Sequence, residues 1–274
     1  MKEMTFGQYI PHSSFVHKMD ARIKILAVIA FIVGVFLVNT FCFYGFAVCL
    51  AFVLLATAFA KVSFLRLLKS MKGILVLVLL SAILQIFFNT SGNVVFSWQF
   101  ITVTDQGLLN AGFIACRISL VVLGASILTY TTSPVELADG IESLLTPLKW
   151  VNFPVHEFAL IMSIALRFIP TLLDETDRII KAQKARGADF DSGNVFKRAK
   201  ALIPVLIPLL ISSFRRADEL ADAMDARCYS GSKNRTKYKK MKLGWRDLVA
   251  SIFVAGLVVG VVLLNAYPVV MAVA

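Results

Sequence analysis

Two arginines stand in similar sequence surroundings, 41 residues apart. Arg186 lies in Ala185-Arg186-Gly187 and Arg227 lies in Ala226-Arg227-Cys228, and each of these Ala-Arg triplets ends a charged amphipathic run that follows an apolar stretch. A guanidinium group can bind two acceptors at once, and small neighbours let a partner's backbone approach closely. A single triplet is better explained as an ordinary helix end whose arginine complements the helix dipole. Two copies in one chain favour a docking role for both.

The sequence offers no constellation for catalysis or metal binding. It has no Gly-x-x-x-x-Gly-Lys-Ser/Thr phosphate loop, so any ATP chemistry would belong to partner proteins. His12, His17 and His156 are too scattered for a convincing metal site, and the four cysteines show no paired spacing. We therefore predict no catalytic residue, no metal ligand and no cofactor bound directly by this chain.

The composition is that of an integral membrane protein. Of the 274 residues, 58% are hydrophobic and 16% are charged, and the mean hydropathy is +0.78. Apolar runs of about twenty residues match the length of a helix that crosses a hydrocarbon core roughly 30 Å thick. The runs also lack the alternation of barrel strands. We predict an all-α membrane protein with about five transmembrane helices and a cytoplasmic-side domain of long amphipathic helices.

The apolar runs predict five spans and three regions. A single helix over 23–60 would be about 57 Å long, so the chain must fold back near Asn39. The predicted regions are an N-terminal bundle of four spans (1–130), cytoplasmic or interfacial helices (131–243) and a C-terminal transmembrane helix (244–274). The predicted spans are 23–40, 41–60, 73–90, 108–130 and 246–266.

Basic residues predict the orientation in the membrane. Lysines and arginines precede the first span and lie between the second and third, whereas 39–40, 91–107 and 267–274 contain neither. The N-terminus is therefore expected in the cytoplasm and, after five crossings, the C-terminus outside. This asymmetry accounts for the net charge of +11 without nucleic-acid binding, and the basic segment 233–242 suits contact with anionic lipid.

Region 131–243 contains two apolar stretches flanked by charges, 158–173 and 201–214. The second contains Pro204 and Pro208 and is short for a span. We expect both stretches to lie against the membrane or to dip into it from the cytoplasmic side. A matched pair of tilted crossings would preserve the same topology and remains the alternative.

The pattern Ser133-Pro134-Val135-Glu136 is typical of a capping box and predicts the start of an amphipathic helix. The apolar face of this helix suits an interface, although core packing would explain the same face equally well. The residues proposed for this face are Leu137, Ile141, Leu144 and Leu148.

Arg117 lies within the fourth predicted span, where a charge is costly and often functional. It could line a polar path through the membrane. Pairing with a helix carbonyl, with Gln85 or with Asn89 would instead lock the helix bundle, and this interpretation is at least as good.

Several motifs together resemble the transmembrane T component of energy-coupling factor (ECF) transporters. Besides the two Ala-Arg triplets, they are Arg167-Phe168-Ile169-Pro170-Thr171 and the segment from His17 to Lys24. The resemblance covers nearly the whole chain in the same order, with Cys228 as a departure from the glycine of the first triplet. It implies a non-catalytic coupling subunit in the bacterial plasma membrane. Such a subunit joins two cytoplasmic ABC-type ATPases, which bind ATP and Mg, to a small membrane subunit that captures a vitamin or a metal ion.

The same resemblance implies roles for the candidate residues. The apolar face around Ile141 would contact the substrate-binding subunit. A stand-alone secondary transporter or channel is the alternative, but apart from Arg117 the spans are nearly free of charge and show no internal repeat. An intramembrane enzyme would need catalytic residues in the bilayer, and none can be assembled. The residues expected to dock in the ATPase grooves are Ala185, Arg186, Gly187, Ala226, Arg227 and Cys228.

Overall fold

The computed structural model describes residues 12–39, 43–89, 92–98, 101–151, 154–190, 194–229, 231 and 244–266. Contacts divide the chain into two compact units, one formed by Met1–Gly140 with Met241–Ala274 and the other by Ile141–Lys240. The elements are, in order, α1 (Ala21–Leu37), α2 (Phe43–Ala60), α3 (Phe64–Met71), α4 (Leu75–Phe88), β1 (Val94–Trp98), β2 (Ile101–Thr104), α5 (Asp105–Thr131), α6 (Pro134–Leu145), a 3-10 helix (Thr146–Val151), α7 (Val155–Ala185), α8 (Val195–Asp225) and α9 (Trp245–Ala266).

The predicted membrane class is confirmed. Helices α2, α5 and α9 are each long and apolar enough to cross a membrane, and α3 with α4, bent by 59°, add a fourth span if they act as one. Helix α1 has 17 residues, which gives about 25 Å against a hydrocarbon core of about 30 Å. Its crossing therefore stays a prediction, although the chain does break near Asn39 as expected.

A short antiparallel hairpin interrupts the helical pattern in the connection 91–107. Strand β1 pairs with β2, and the register places Trp98 opposite Ile101. This hairpin was not predicted from the sequence. It is a small addition to a fold that is otherwise helical in the described residues.

Helix α5 lies at the centre of the first unit, in contact with α1, α2, α3 and α4. Gly124 permits the close approach of α1, because a Cβ atom there would lie 2.5 Å from the Phe31 ring. Between helices surrounded by lipid, close van der Waals packing of such side chains stabilises the contact more than their removal from water does. The shared core consists of Phe31, Val35, Val38, Phe46, Cys49, Val53, Leu67, Phe113, Leu120, Leu123, Ile127, Tyr130, Leu257 and Val261.

Helices α1 and α9 run parallel, and side-chain hydrogen bonds join both pairs of ends. The Asp20 N–H donates to Asp247 Oδ1 at 2.8 Å where the two helices begin. Where they end, the Asn265 side-chain amide donates to the Leu37 carbonyl. The first residues of α1 and α9 therefore lie on the same side of the first unit.

Helix α5 runs antiparallel to α1. Buried Lys24, in the first turn of α1, donates to the carbonyl of Thr131, the last residue of α5, at 3.1 Å. Arg117, nearer the start of α5, donates to the Val38 carbonyl just after α1 at 2.7 Å. The alternation of direction expected for successive crossings is thus present in the packing of α1, α5 and α9.

In the second unit, α7 and α8 each have 31 residues, or about 46 Å of helix. The apolar stretches 158–173 and 201–214 are internal parts of these two helices. Pro170, Pro204 and Pro208 are accommodated inside the helices. Neither helix is among the candidate spans found in the described part of the chain, and a position of either stretch against the membrane stays a prediction.

Candidate docking site

The first Ala-Arg triplet forms the end of α7. The Gly187 N–H donates to the Lys184 carbonyl at 3.0 Å, and the Ala188 N–H donates to the Gln183 carbonyl at 3.0 Å. Gly187 has a φ of +86°, in the left-handed region where glycine is favoured. This pattern is a Schellman motif, which closes the helix and leaves Arg186 as its last half-helical residue.

The second triplet repeats the same geometry at the end of α8. The Cys228 N–H donates to the Asp225 carbonyl at 2.9 Å, and the Tyr229 N–H donates to the Met224 carbonyl at 3.1 Å. Cys228 has a φ of +55°, which costs a residue with a Cβ atom about 1 kcal/mol. The departure from glycine at this position therefore leaves the backbone motif unchanged.

Both triplets lie on the surface of the second unit. All six residues are exposed, and a Cβ atom added to Gly187 would meet no atom of the described chain within 4 Å. The arginines are thus held at the ends of rigid helices with their side chains accessible. Such an arrangement can insert a guanidinium group into a groove of another protein that carries carboxylates or carbonyls.

Two contacts between α7 and α8 show how the pair is arranged. Arg216 Nη2 lies 2.6 Å from Glu175 Oε2 in a half-buried ion pair, and the Gln183 side-chain amide donates to the Pro204 carbonyl at 3.5 Å. Later positions in α7 thus meet earlier positions in α8, so the helices cross in opposite directions. Their C-terminal ends, with Arg186 and Arg227, lie on opposite sides of the ion pair.

This ion pair was not predicted from the sequence. Glu175 and Arg216 are separated by 41 residues, the same offset that separates Arg186 from Arg227. Each partner therefore lies 11 residues before an arginine, or about 16 Å along its helix. The signal available in the sequence was that Glu175 and Arg216 have the same spacing as the two arginines and carry opposite charges. Nothing in the sequence alone showed that these two corresponding positions are in contact.

The proposed face on α6 is less regular than its sequence pattern. The capping box is confirmed, because the Glu136 N–H donates to Ser133 Oγ at 3.3 Å and the Ser133 N–H donates to the Glu136 carboxylate at 3.5 Å. However, Glu142 is buried, whereas Ile141, predicted on the apolar face, is 42% exposed. Leu137 and Leu144 are half-buried, and Leu148 falls in the following 3-10 helix, where only its backbone is described. A role for this face stays a prediction.

Arg117 contacts two groups within the first unit. Besides donating to the Val38 carbonyl, its guanidinium group lies 5.7 Å from the centroid of the Phe46 ring. Pairing with a carbonyl at the end of a helix, one of the partners named from the sequence, is therefore present in the structure. Among the described residues, no group of three His, Cys, Asp or Glu side chains could hold a metal ion.

Comparisons with known proteins agree over nearly the whole chain. A family model described as cobalt transport protein, CbiQ, matches residues 12–238, a range that includes both Ala-Arg triplets. Relatives named energy-coupling factor transporter transmembrane protein EcfT are similar throughout. One from Clostridium kluyveri is 52% identical over 253 residues, which cover 92% of this chain and 93% of the relative. One from Bacillus subtilis is 44% identical over 263 residues, which cover 96% and 98%. Matches of this extent and identity show that the chain belongs to the family of transmembrane components of energy-coupling factor transporters.

Proposed function

We propose that this protein is the coupling subunit of an ATP-driven ECF importer, with Arg186 and Arg227 as its anchors in two cytoplasmic ABC-type ATPases. The observation that carries the proposal is the pair of matched helix ends, each a closed Schellman motif with an exposed arginine. A left-handed helix end is common by itself; what supports the proposal is that each of these two ends carries an exposed arginine at the same position of the motif.

The arrangement of α7 and α8 suits two separate partners. Because the helices cross in opposite directions, one ATPase can bind each end without competing for the same surface. The long helices would act as levers, so that closure of the ATPases on ATP moves the two ends and changes the tilt of the pair. Coupling of this kind needs a rigid element with distinct arrangements, and the two 31-residue helices joined by an ion pair would be that element.

The remaining roles follow from this assignment. The chain itself would be non-catalytic, with ATP and Mg bound by the ATPases. A small membrane subunit would capture a vitamin or a transition-metal ion, and the α6 face around Ile141 is our candidate contact for it. The subunit would lie in the bacterial plasma membrane with its N-terminus in the cytoplasm. A stand-alone secondary transporter or channel is not favoured, since the relatives are named as components of a multi-part transporter.

The test is removal of both arginines from the tagged protein, purified from its native membrane in mild detergent. We expect Arg186→Ala with Arg227→Ala to weaken retention of two ATPases by about 30-fold or more, since buried arginines are frequent interface hot spots. ATP-dependent uptake should fall with it. Arg215→Ala is the matched control, because Arg215 is an exposed arginine on α8 outside the triplets. Unchanged retention and uptake in the double variant would disprove the proposal.

A further inference from the structure

The two docking helix ends have the same backbone and opposite charge. Residues 177–186 contain four basic side chains and one acidic side chain, whereas the equivalent residues 218–227 contain four acidic side chains and one basic side chain. The docking arginine is the last residue of each segment, and Asp177 and Asp218 are acidic in both. The sign of the charge is reversed at the three positions between these shared residues.

On each helix, the three positions whose charge is reversed lie on the surface at i, i+3 and i+6 spacing. We name Arg178, Lys181 and Lys184 the basic stripe of α7, and all three are exposed. Their equivalents on α8, which we name the acidic stripe, are also exposed. The acidic stripe consists of Glu219, Asp222 and Asp225.

The acidic stripe is electrostatically unfavourable in the isolated helix. Asp225 is the last residue of α8, and the last turn of this helix contains no basic residue. Negative side chains in the last turn, here Asp222 and Asp225, oppose the helix dipole, whereas Lys184 in the last turn of α7 complements it. Helix stability therefore accounts for the charge of the α7 end but not for that of the α8 end.

The two stripes do not neutralise each other within the second unit. Glu175 and Arg216 pair where the helices cross, and each stripe begins beyond this pair in the C-terminal direction of its own helix. Because α7 and α8 cross in opposite directions, the stripes extend away from each other. Their charges are thus presented on opposite sides of the crossing.

We propose that the two helix ends are matched to ATPase surfaces of opposite charge. The α7 end would bind a surface with acidic side chains around the arginine groove, and the α8 end one with basic side chains. Charge complementarity of this kind excludes the wrong partner more than it adds affinity. The two ends are therefore not interchangeable, and the charge pattern fixes which ATPase each helix engages. This inference rests on the proposed function, because it takes the partners to be ATPases.

The experiment exchanges the stripes in the full-length protein and identifies the neighbour of each end. A photoreactive phenylalanine analogue replaces Ala188 or Tyr229, which follow the two triplets, and cross-linked proteins are identified by mass spectrometry. The first variant makes the basic stripe acidic with Arg178→Glu, Lys181→Asp and Lys184→Asp. The second makes the acidic stripe basic with Glu219→Arg, Asp222→Lys and Asp225→Lys. The third variant combines all six changes.

In the wild type, positions 188 and 229 should each cross-link a different ATPase. Each single-stripe variant should retain about tenfold less of the ATPase at the altered end, since three exposed charge pairs become repulsive. The six-residue variant should recover both ATPases with the two cross-links exchanged. Lys197→Glu with Lys200→Glu, on exposed residues at the start of α8, controls for a general effect of net charge.

Several outcomes would overturn the inference while leaving the proposed function intact. These are one ATPase polypeptide at both ends, both ATPases at each end, or cross-links that the six-residue exchange leaves unchanged. Cross-linking of position 188 to lipid alone would assign the basic stripe to the membrane surface and would equally overturn it. Absence of any ATPase from the wild-type preparation would instead refute the proposed function itself.

Discussion

At the scale of single residues, Arg117 shows how this bundle accommodates a charge inside an apolar helix. The guanidinium group donates to the Val38 carbonyl, which follows the last turn of α1, and stacks against Phe46. A carbonyl at the end of a helix has no partner within that helix, so Arg117 satisfies a group that would otherwise be unpaired in an apolar setting. Asn265 of α9 likewise donates a hydrogen bond to the carbonyl of Leu37 near the end of α1.

We expect Arg117→Ala to destabilise the first unit by about 1–3 kcal/mol, because it leaves a buried carbonyl without its donor. Thermal unfolding in detergent measures this loss. Arg246→Ala is the matched control, since Arg246 lies over the Phe15 ring at the same 5.7 Å. An unchanged unfolding temperature combined with lost uptake would instead assign Arg117 to a polar path.

At the scale of elements, the pair α7 and α8 depends on a contact between Glu175 and Arg216, which occupy corresponding positions in the two helices. The side chains of Arg216 and Glu175 are 32% and 27% exposed, so solvent screens their attraction only in part. Charged side chains at corresponding positions of the two helices attract each other only if their charges are opposite. We infer that the ion pair favours one register of the crossing, with Arg186 and Arg227 at equal sequence distances from it.

We expect single reversals, Glu175→Arg or Arg216→Glu, to weaken the crossing because each places like charges within contact distance. The free energy of unfolding should fall by about 1 kcal/mol in each. The double exchange should recover most of the loss, and thermal unfolding together with ATP-driven uptake measures both effects. A double exchange that is no better than either single variant would show that the pair does not set the register.

At the scale of the whole molecule, the directions of α1, α5 and α9 constrain the topology of the first unit. The beginnings of α1 and α9 and the end of α5 lie on the same side of this unit. Basic residues near these ends include Arg22, Lys24 and Arg246. By the positive-inside tendency, we expect this side to face the cytoplasm.

A reporter that fluoresces only in the cytoplasm should therefore be bright when fused to the N-terminus and dark when fused to the C-terminus. An alkaline phosphatase reporter, active only outside, should give the opposite pattern. Fluorescence from the C-terminal fusion would mean an even number of crossings. In that case either one of the five predicted spans does not cross, with α1 a candidate because its 17 residues are short for the bilayer, or one of the stretches 158–173 and 201–214 crosses alone.

Much of the secondary structure is determined by local sequence. The lengths of the apolar runs predicted the membrane helices and the break near Asn39, and the capping box at Ser133 formed as expected. The helix ends at Gly187 and Cys228 both close through hydrogen bonds to residues three or five positions earlier. Such bonds depend on nearby residues only, which is why the sequence sufficed for them.

Tertiary structure alone decided which distant groups meet. The sequence left the partner of Arg117 open and missed the Glu175–Arg216 pair, the hairpin of β1 and β2 and the burial of Glu142. Each of these depends on how helices cross or on which side of an element faces its neighbours. Helical periodicity identifies a face without identifying what covers it, because packing is set by the whole arrangement of side chains and not by any one segment.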